Sequence, residues 1–130
     1  MDEKFTNFRY SLPADLARKI GRLSLTTGRS KAVIARKALF TFFNLTEPLQ
    51  LSALENIELI HGRNFIVPRR FTKNSNPYHA VRTTVRMKIA EADKLYAQIS
   101  HLALVAYPRY NVRLSVMAIT RCAIVHSLNF

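Results

Sequence analysis

The chain has 130 residues, 48% of them hydrophobic, and its twenty Lys and Arg against eight Asp and Glu give a formal net charge of +12. That apolar share suffices for a packed interior and excludes a chain disordered as a whole, while the length suits one domain, or two small halves that share a core. A small domain this basic usually meets a polyanion, either nucleic acid or an anionic membrane surface; the bland alternative is charge that only aids solubility.

The single cysteine, Cys122, excludes an internal disulfide framework, and its apolar neighbours predict a buried, inert thiol. The start, Met1-Asp2-Glu3-Lys4, lacks the apolar core of a secretory signal. No uninterrupted apolar stretch of about 18 residues exists, so the expectation is an intracellular, cytoplasmic protein with no membrane span.

Residues 1–4 read as a short arm. Asn7-Phe8-Arg9-Tyr10-Ser11-Leu12 alternates polar and apolar residues, the signature of a half-buried strand over 5–12. Phe8, Tyr10 and Leu12 are expected to face a core, with Asn7, Arg9 and Ser11 outward. That outward set suits base edges, since Arg can fork onto guanine, Asn can pair twice with adenine, and Ser can donate or accept. Pro13 then falls where a helix begins, and Asp15 lies in its first turn, where negative charge suits the helix dipole. Leu16, Ile20 and Leu23 recur at helical spacing, with Arg18, Lys19 and Arg22 off the stripe, so an amphipathic helix over about 13–25 is predicted. Gly28 is its expected C′ residue and Ser30 the N-cap of a second helix. That helix, carrying Val33, Ile34, Ala35, Ala38, Leu39, Phe40, Phe42 and Phe43, is apolar nearly all round and expected to be central.

Residues 45–81 break the pattern and read as a linker with a short helix. Ser52-Ala53-Leu54-Glu55 has capping-box spacing, predicting a helix over 53–61 with Leu54, Ile57 and Ile60 on one side and Gly62 as its stop. Phe65-Ile66-Val67 is expected as an extended segment. The basic, turn-prone run from Arg69 to Pro77 is expected to cross the surface.

The second half then repeats the first. Thr84-Val85-Arg86-Met87-Lys88-Ile89 alternates again, with Val85, Met87 and Ile89 inward and Thr84, Arg86 and Lys88 outward. Glu91 and Asp93 mark a helix start, and Leu95, Ile99 and Leu102 repeat the spacing of Leu16, Ile20 and Leu23. Pro108 is expected to close this helix after Tyr107, and Ser115 stands where Ser30 stood, before a final apolar helix. Internal repetition of this kind points to a repeated architecture.

Phe8 to Pro13, Leu16, Ile20, Gly28-Arg29-Ser30, Ile34 and Ala38-Leu39 together resemble the ribbon-helix-helix (Arc/MetJ-type) family of DNA-binding proteins. The resemblance covers about residues 5–43 and, in pattern only, about 82–128. The second unit lacks the Leu-Pro and Gly-Arg-Ser signatures. Most members of that family carry one unit and pair as homodimers. Two units in one chain look like the TraY type of conjugation protein, a likeness of architecture and length alone.

The resemblance implies a mainly α fold with a small two-stranded antiparallel ribbon, the tandem units forming an intramolecular pseudo-dimer. The implied organisation is one domain of two units, 5–44 and 82–130, joined by the linker 45–81. It also implies base readout in the DNA major groove by Asn7, Arg9, Ser11, Thr84, Arg86 and Lys88. A phosphate is expected on the backbone at Ser30 with Lys31, and on that at Ser115 with Val116. Further phosphate candidates, from charge, are Arg29, Arg69, Arg70, Lys73 and Arg82.

The function expected is sequence-specific binding of double-stranded DNA, first as a transcription regulator or repressor. The alternative is a relaxosome accessory protein at a conjugative transfer origin, working with a relaxase or another DNA-processing partner. Several copies are expected to bind cooperatively, because each ribbon reads only a few base pairs. Two rival classes compete with this reading. No enzyme is expected, since His61, His79, His101 and His126 stand at no metal-ligand spacing, no acid pair looks catalytic and no cofactor is implied. A membrane-surface or protein-interaction module would use the apolar tail Ile124 to Phe130, which core packing explains better.

Overall fold

The computed structural model describes residues 4–67 and 81–130, so Arg69, Arg70, Lys73 and His79 lie outside the described residues. Among the described residues, five helices pack with a two-stranded antiparallel sheet whose one face they cover, in the order β1 (Phe5–Leu12), α1 (Ala14–Thr27), α2 (Lys31–Phe43), α3 (Glu47–His61), β2 (Val81–Lys88), α4 (Ile89–Tyr110) and α5 (Val116–Ser127). A 3-10 turn over Arg63–Phe65 follows α3. Among the described residues, no helix is long and apolar enough to cross a membrane.

The sheet forms because alternation gives each strand one apolar face. β1 and β2 pair with Phe8 opposite Val85, Asn7 opposite Arg86 and Arg9 opposite Thr84. Phe8, Tyr10, Leu12, Val85 and Met87 are buried against the helices. Ile89, expected to extend that inner face, is instead the first residue of α4 and is exposed. The strand ends one residue sooner because the Glu91 carboxylate accepts from the Lys88 N–H at 3.1 Å, capping the helix there.

α2 packs against β2, α5 against β1, and α2 and α5 against each other. Small buried residues allow that close approach: Ala35 and Ala38 on α2, and Ala118, Cys122 and Ala123 on α5. The Ser127 hydroxyl donates to the Ala38 carbonyl at 2.8 Å and fastens the end of α5 to α2. Complete burial pushes the Cys122 thiol up to about 12, as fits an inert core group. The tail is core as well: Ile124 and Val125 are buried, Leu128 and Phe130 pack on the core, and Lys19 lies 5.5 Å from the Phe130 ring.

α1 ends as expected, with Gly28 in the left-handed region at φ 71 and its N–H on the Ser24 carbonyl. α4 departs from expectation. Pro108 lies inside it, and the helix continues to Tyr110 before Asn111 turns left-handed at φ 54. A proline one turn from a helix end forfeits one N–H bond, to a carbonyl on the exposed Leu104, while Tyr110 buries its ring and holds the last turn in place.

α3 is longer than the predicted short helix. It starts after Thr46 with a proline in the first turn, so Ser52 is a mid-helix residue and caps nothing. Ala53, Leu54 and Ile57 are buried, whereas Ile60, assigned to the same side, is exposed. Phe65 and Ile66 are buried in the 3-10 turn rather than in an extended segment. Glu47 meets His101 at 2.6 Å, and Glu55 and Glu58 approach Arg109 at 3.6 and 3.5 Å. α3 therefore runs beside the second half of α4 in the same direction.

Phe8 is fully buried at the centre of the strand pair. Phe8→Ala is expected to cost about 3–5 kcal/mol of unfolding free energy. Denaturant unfolding followed by circular dichroism checks this.

Candidate nucleic-acid interface

The inner face of the two-stranded ribbon is covered, so its side chains of the other parity project away from the core. In pairs they are Phe5 with Lys88, Asn7 with Arg86, Arg9 with Thr84, and Ser11 with Arg82. Those eight residues include four cations and no acid. Asn7, Arg9, Thr84, Arg86 and Lys88 are exposed, as their outward parity predicts. Ser11 is the exception. It has the right parity but is only 8% exposed, because β1 turns there into Pro13, also buried, and α1. Its hydroxyl is poorly placed to reach a ligand, and the usable face is correspondingly narrower at that end.

The guanidinium groups differ in setting. Arg9 and Arg82 have no ion-pair partner among the described residues. Arg86 stacks on the Phe5 ring at 4.9 Å, a contact that orients the group without neutralising it. Arg9 and Arg82 share this exposed sheet face, and like charges placed together favour a polyanionic partner.

Of the helices that pack on the sheet, α2 and α5 start at a serine cap, whereas α4 starts at Lys88. The Ser30 hydroxyl accepts from the Val33 N–H at 3.2 Å, and the Ser115 hydroxyl accepts from the Ala118 N–H at 3.0 Å. Both termini keep further unpaired N–H groups and the positive end of the helix dipole, the elements of an anion site. They are unequal. Arg29 and Lys31 flank Ser30 and are both exposed, with Lys31 lying along α1 beside Gly21, where an added Cβ would stand 3.7 Å from its Cε. At the other terminus Val116, not a lysine, follows the cap, and the nearest cation is the exposed Arg113.

The described acids lie off those eight positions. α3 carries three glutamates and no lysine or arginine, and it packs on α4, α5 and the 3-10 turn. Glu91 sits at the start of α4 and pairs with Arg36 of α2. Burial pushes its carboxyl up, but the Lys88 N–H and the Arg36 guanidinium outweigh this and hold it below its ordinary value. Among the described residues, no group of three His, Cys, Asp or Glu could hold a metal ion.

Phe5 and Arg113 were not singled out from sequence. Phe5 shares its parity with Asn7 and Arg9, so alternation carried the signal, but an aromatic ring on an outward face defeats a polar-out rule. Arg113 stands two residues before its cap where Arg29 stands one before, and the longer loop conceals the correspondence. Comparisons with protein-family models, with curated proteins and with solved structures find no match to this chain.

Glu91→Gln is expected to cost about 0.3–1 kcal/mol at pH 7, through the lost interaction with the helix start and with Arg36. The folded carboxyl titrates below its unfolded value of about 4.3. The stabilisation is thus fully present above that value and fades as pH falls through the lower folded one. Urea unfolding of both proteins at pH 7 and pH 3 checks this, with a narrower gap expected at pH 3.

Proposed function

We propose that the chain is a sequence-specific double-stranded DNA-binding protein, acting as a transcription regulator, which inserts its two-stranded ribbon into the major groove. In this reading it is a ribbon-helix-helix protein whose two units, β1-α1-α2 and β2-α4-α5, form a pseudo-dimer within one chain. The observation that carries the reading is the strand register. About the Phe8–Val85 pair, Asn7 exchanges with Thr84 and Arg9 with Arg86, so equivalent positions of the two strands occupy equivalent places on one acid-free face.

Three further features support it. A two-stranded ribbon fits the major groove. Serine-capped helix starts follow in both halves, suited to flanking phosphates. The acidic helix α3 packs on other helices, where it does not compete with DNA for the ribbon.

Phosphate contacts would supply most of the affinity, and base contacts the specificity. Arg9 and Arg86 are the strongest candidates for guanine, with Asn7 for adenine. Lys31 and Arg29 would hold one flanking phosphate more firmly than Val116 and Arg113 hold the other. Because the two strands present different side chains, the preferred site has no two-fold symmetry.

Selection of bound duplexes from random DNA tests this. An asymmetric consensus containing guanine is expected. Arg9→Ala and Arg86→Ala should each cost about 1–3 kcal/mol on that consensus and relax preference in their own half. Affinity should fall steeply between low and moderate salt. Wild-type affinity in both variants, or binding to anionic vesicles without binding to duplex, would contradict the proposal.

A further inference from the structure

The two ends of the ribbon's outer face are chemically different. One end carries Ser11 opposite Arg82, a polar pair with Ser11 buried. The other carries Phe5 opposite Lys88, with the Phe5 ring 47% exposed. Beside that ring a notch of about 240 Å³ opens between the ribbon and the first turns of α2. Its apolar lining is Phe5, Ala32, Val33 and Met87, and Val33 is 50% exposed. Arg86, Lys88 and Arg36 surround the lining, and the Glu91 carboxylate in the wall is paired with Arg36.

A half-exposed phenylalanine and valine gain by losing contact with water. Here they do so within a ring of cations, one of them stacked on the phenylalanine itself. The occupant must therefore present a small apolar group beside negative charge. In the major groove only one base-edge group fits that description, the C5-methyl of thymine, which apolar side chains read directly. We propose that the Phe5–Val33 notch is a methyl-reading subsite, taking a thymine methyl next to the base contacted by Arg86. The subsite rests on the ribbon reading above and deepens it, because the methyl-reading end exists at one end of the ribbon only. It fixes which way round the protein sits on its asymmetric site.

The test uses the full-length protein and the duplex recovered by selection, with each thymine replaced in turn by deoxyuridine, which removes the methyl and nothing else. At one thymine in the Arg86 half, the wild type should bind the uracil duplex about fourfold more weakly, the effect of one buried methyl-sized group. Phe5→Ala should bind the two duplexes equally, whatever its absolute affinity. Phe5→Leu, which loses the ring under Arg86 but keeps an apolar wall, should retain the preference.

Equal wild-type affinity at every thymine, or a selected site with no thymine in that half, overturns the subsite while specific binding leaves the ribbon reading intact. Retained discrimination in Phe5→Ala likewise overturns it. Failure of the wild type to bind duplex specifically overturns both.

Discussion

The pairing of β1 with β2 is the constraint on which the rest depends. Two strands alone are marginal in water, and these are far apart in the chain, so joining them carries a loop-closure cost. The pair exists because Phe8, Tyr10, Leu12, Val85 and Met87 bury one face on α2, α4 and α5. Among the described residues, helices pack on one face of this sheet, and the opposite face is exposed except at Ser11. The same alternation that builds the core therefore selects what faces outward: Asn7, Arg9, Thr84, Arg86 and Lys88.

Charge is distributed to match. The outer ribbon face holds cations without acids, the helix start at Ser30 adds Arg29 and Lys31, and the glutamates of α3 pair with His101 and Arg109. Within a chain of net charge +12, this concentrates described cations on the ribbon. The two ends of the ribbon, and the two serine-capped helix starts, also differ. Lys31 is matched by Val116, Phe5 by Arg82 across the ribbon's centre, and the cap at Ser115 follows a longer loop. A ribbon built within one chain is free to differentiate its ends, which two identical strands of a homodimer cannot do.

Much of this was legible in the residues. Strict alternation in both strands gave their existence and, by parity, the outward set. The leucine and isoleucine spacing gave α1 and the first half of α4. Gly28, Ser30 and Ser115 marked helix ends through local hydrogen bonding that any context would keep. What was missed depended on tertiary packing. Ser11 has an outward parity yet is covered, because the chain bends there into α1. Pro108 does not stop α4, because Tyr110 anchors the turn beyond it. The spacing at Ser52 mimics a capping box, but Thr46 and Pro48 begin the helix sooner and α4 and α5 stabilise its full length. The Phe5–Arg86 stack joins residues on different strands, and no local pattern announces it.

The central claim is that DNA meets the outer face of the ribbon, and a titration observed by NMR tests it most directly. With selected duplex added to isotope-labelled protein, the side-chain signals of Asn7, Arg9 and Arg86 and the amides of Lys31 and Ala32 should shift most, while those of α3 stay in place. Shifts confined to the exposed faces of α1, α3 or α4, with the ribbon signals unmoved, would contradict the account.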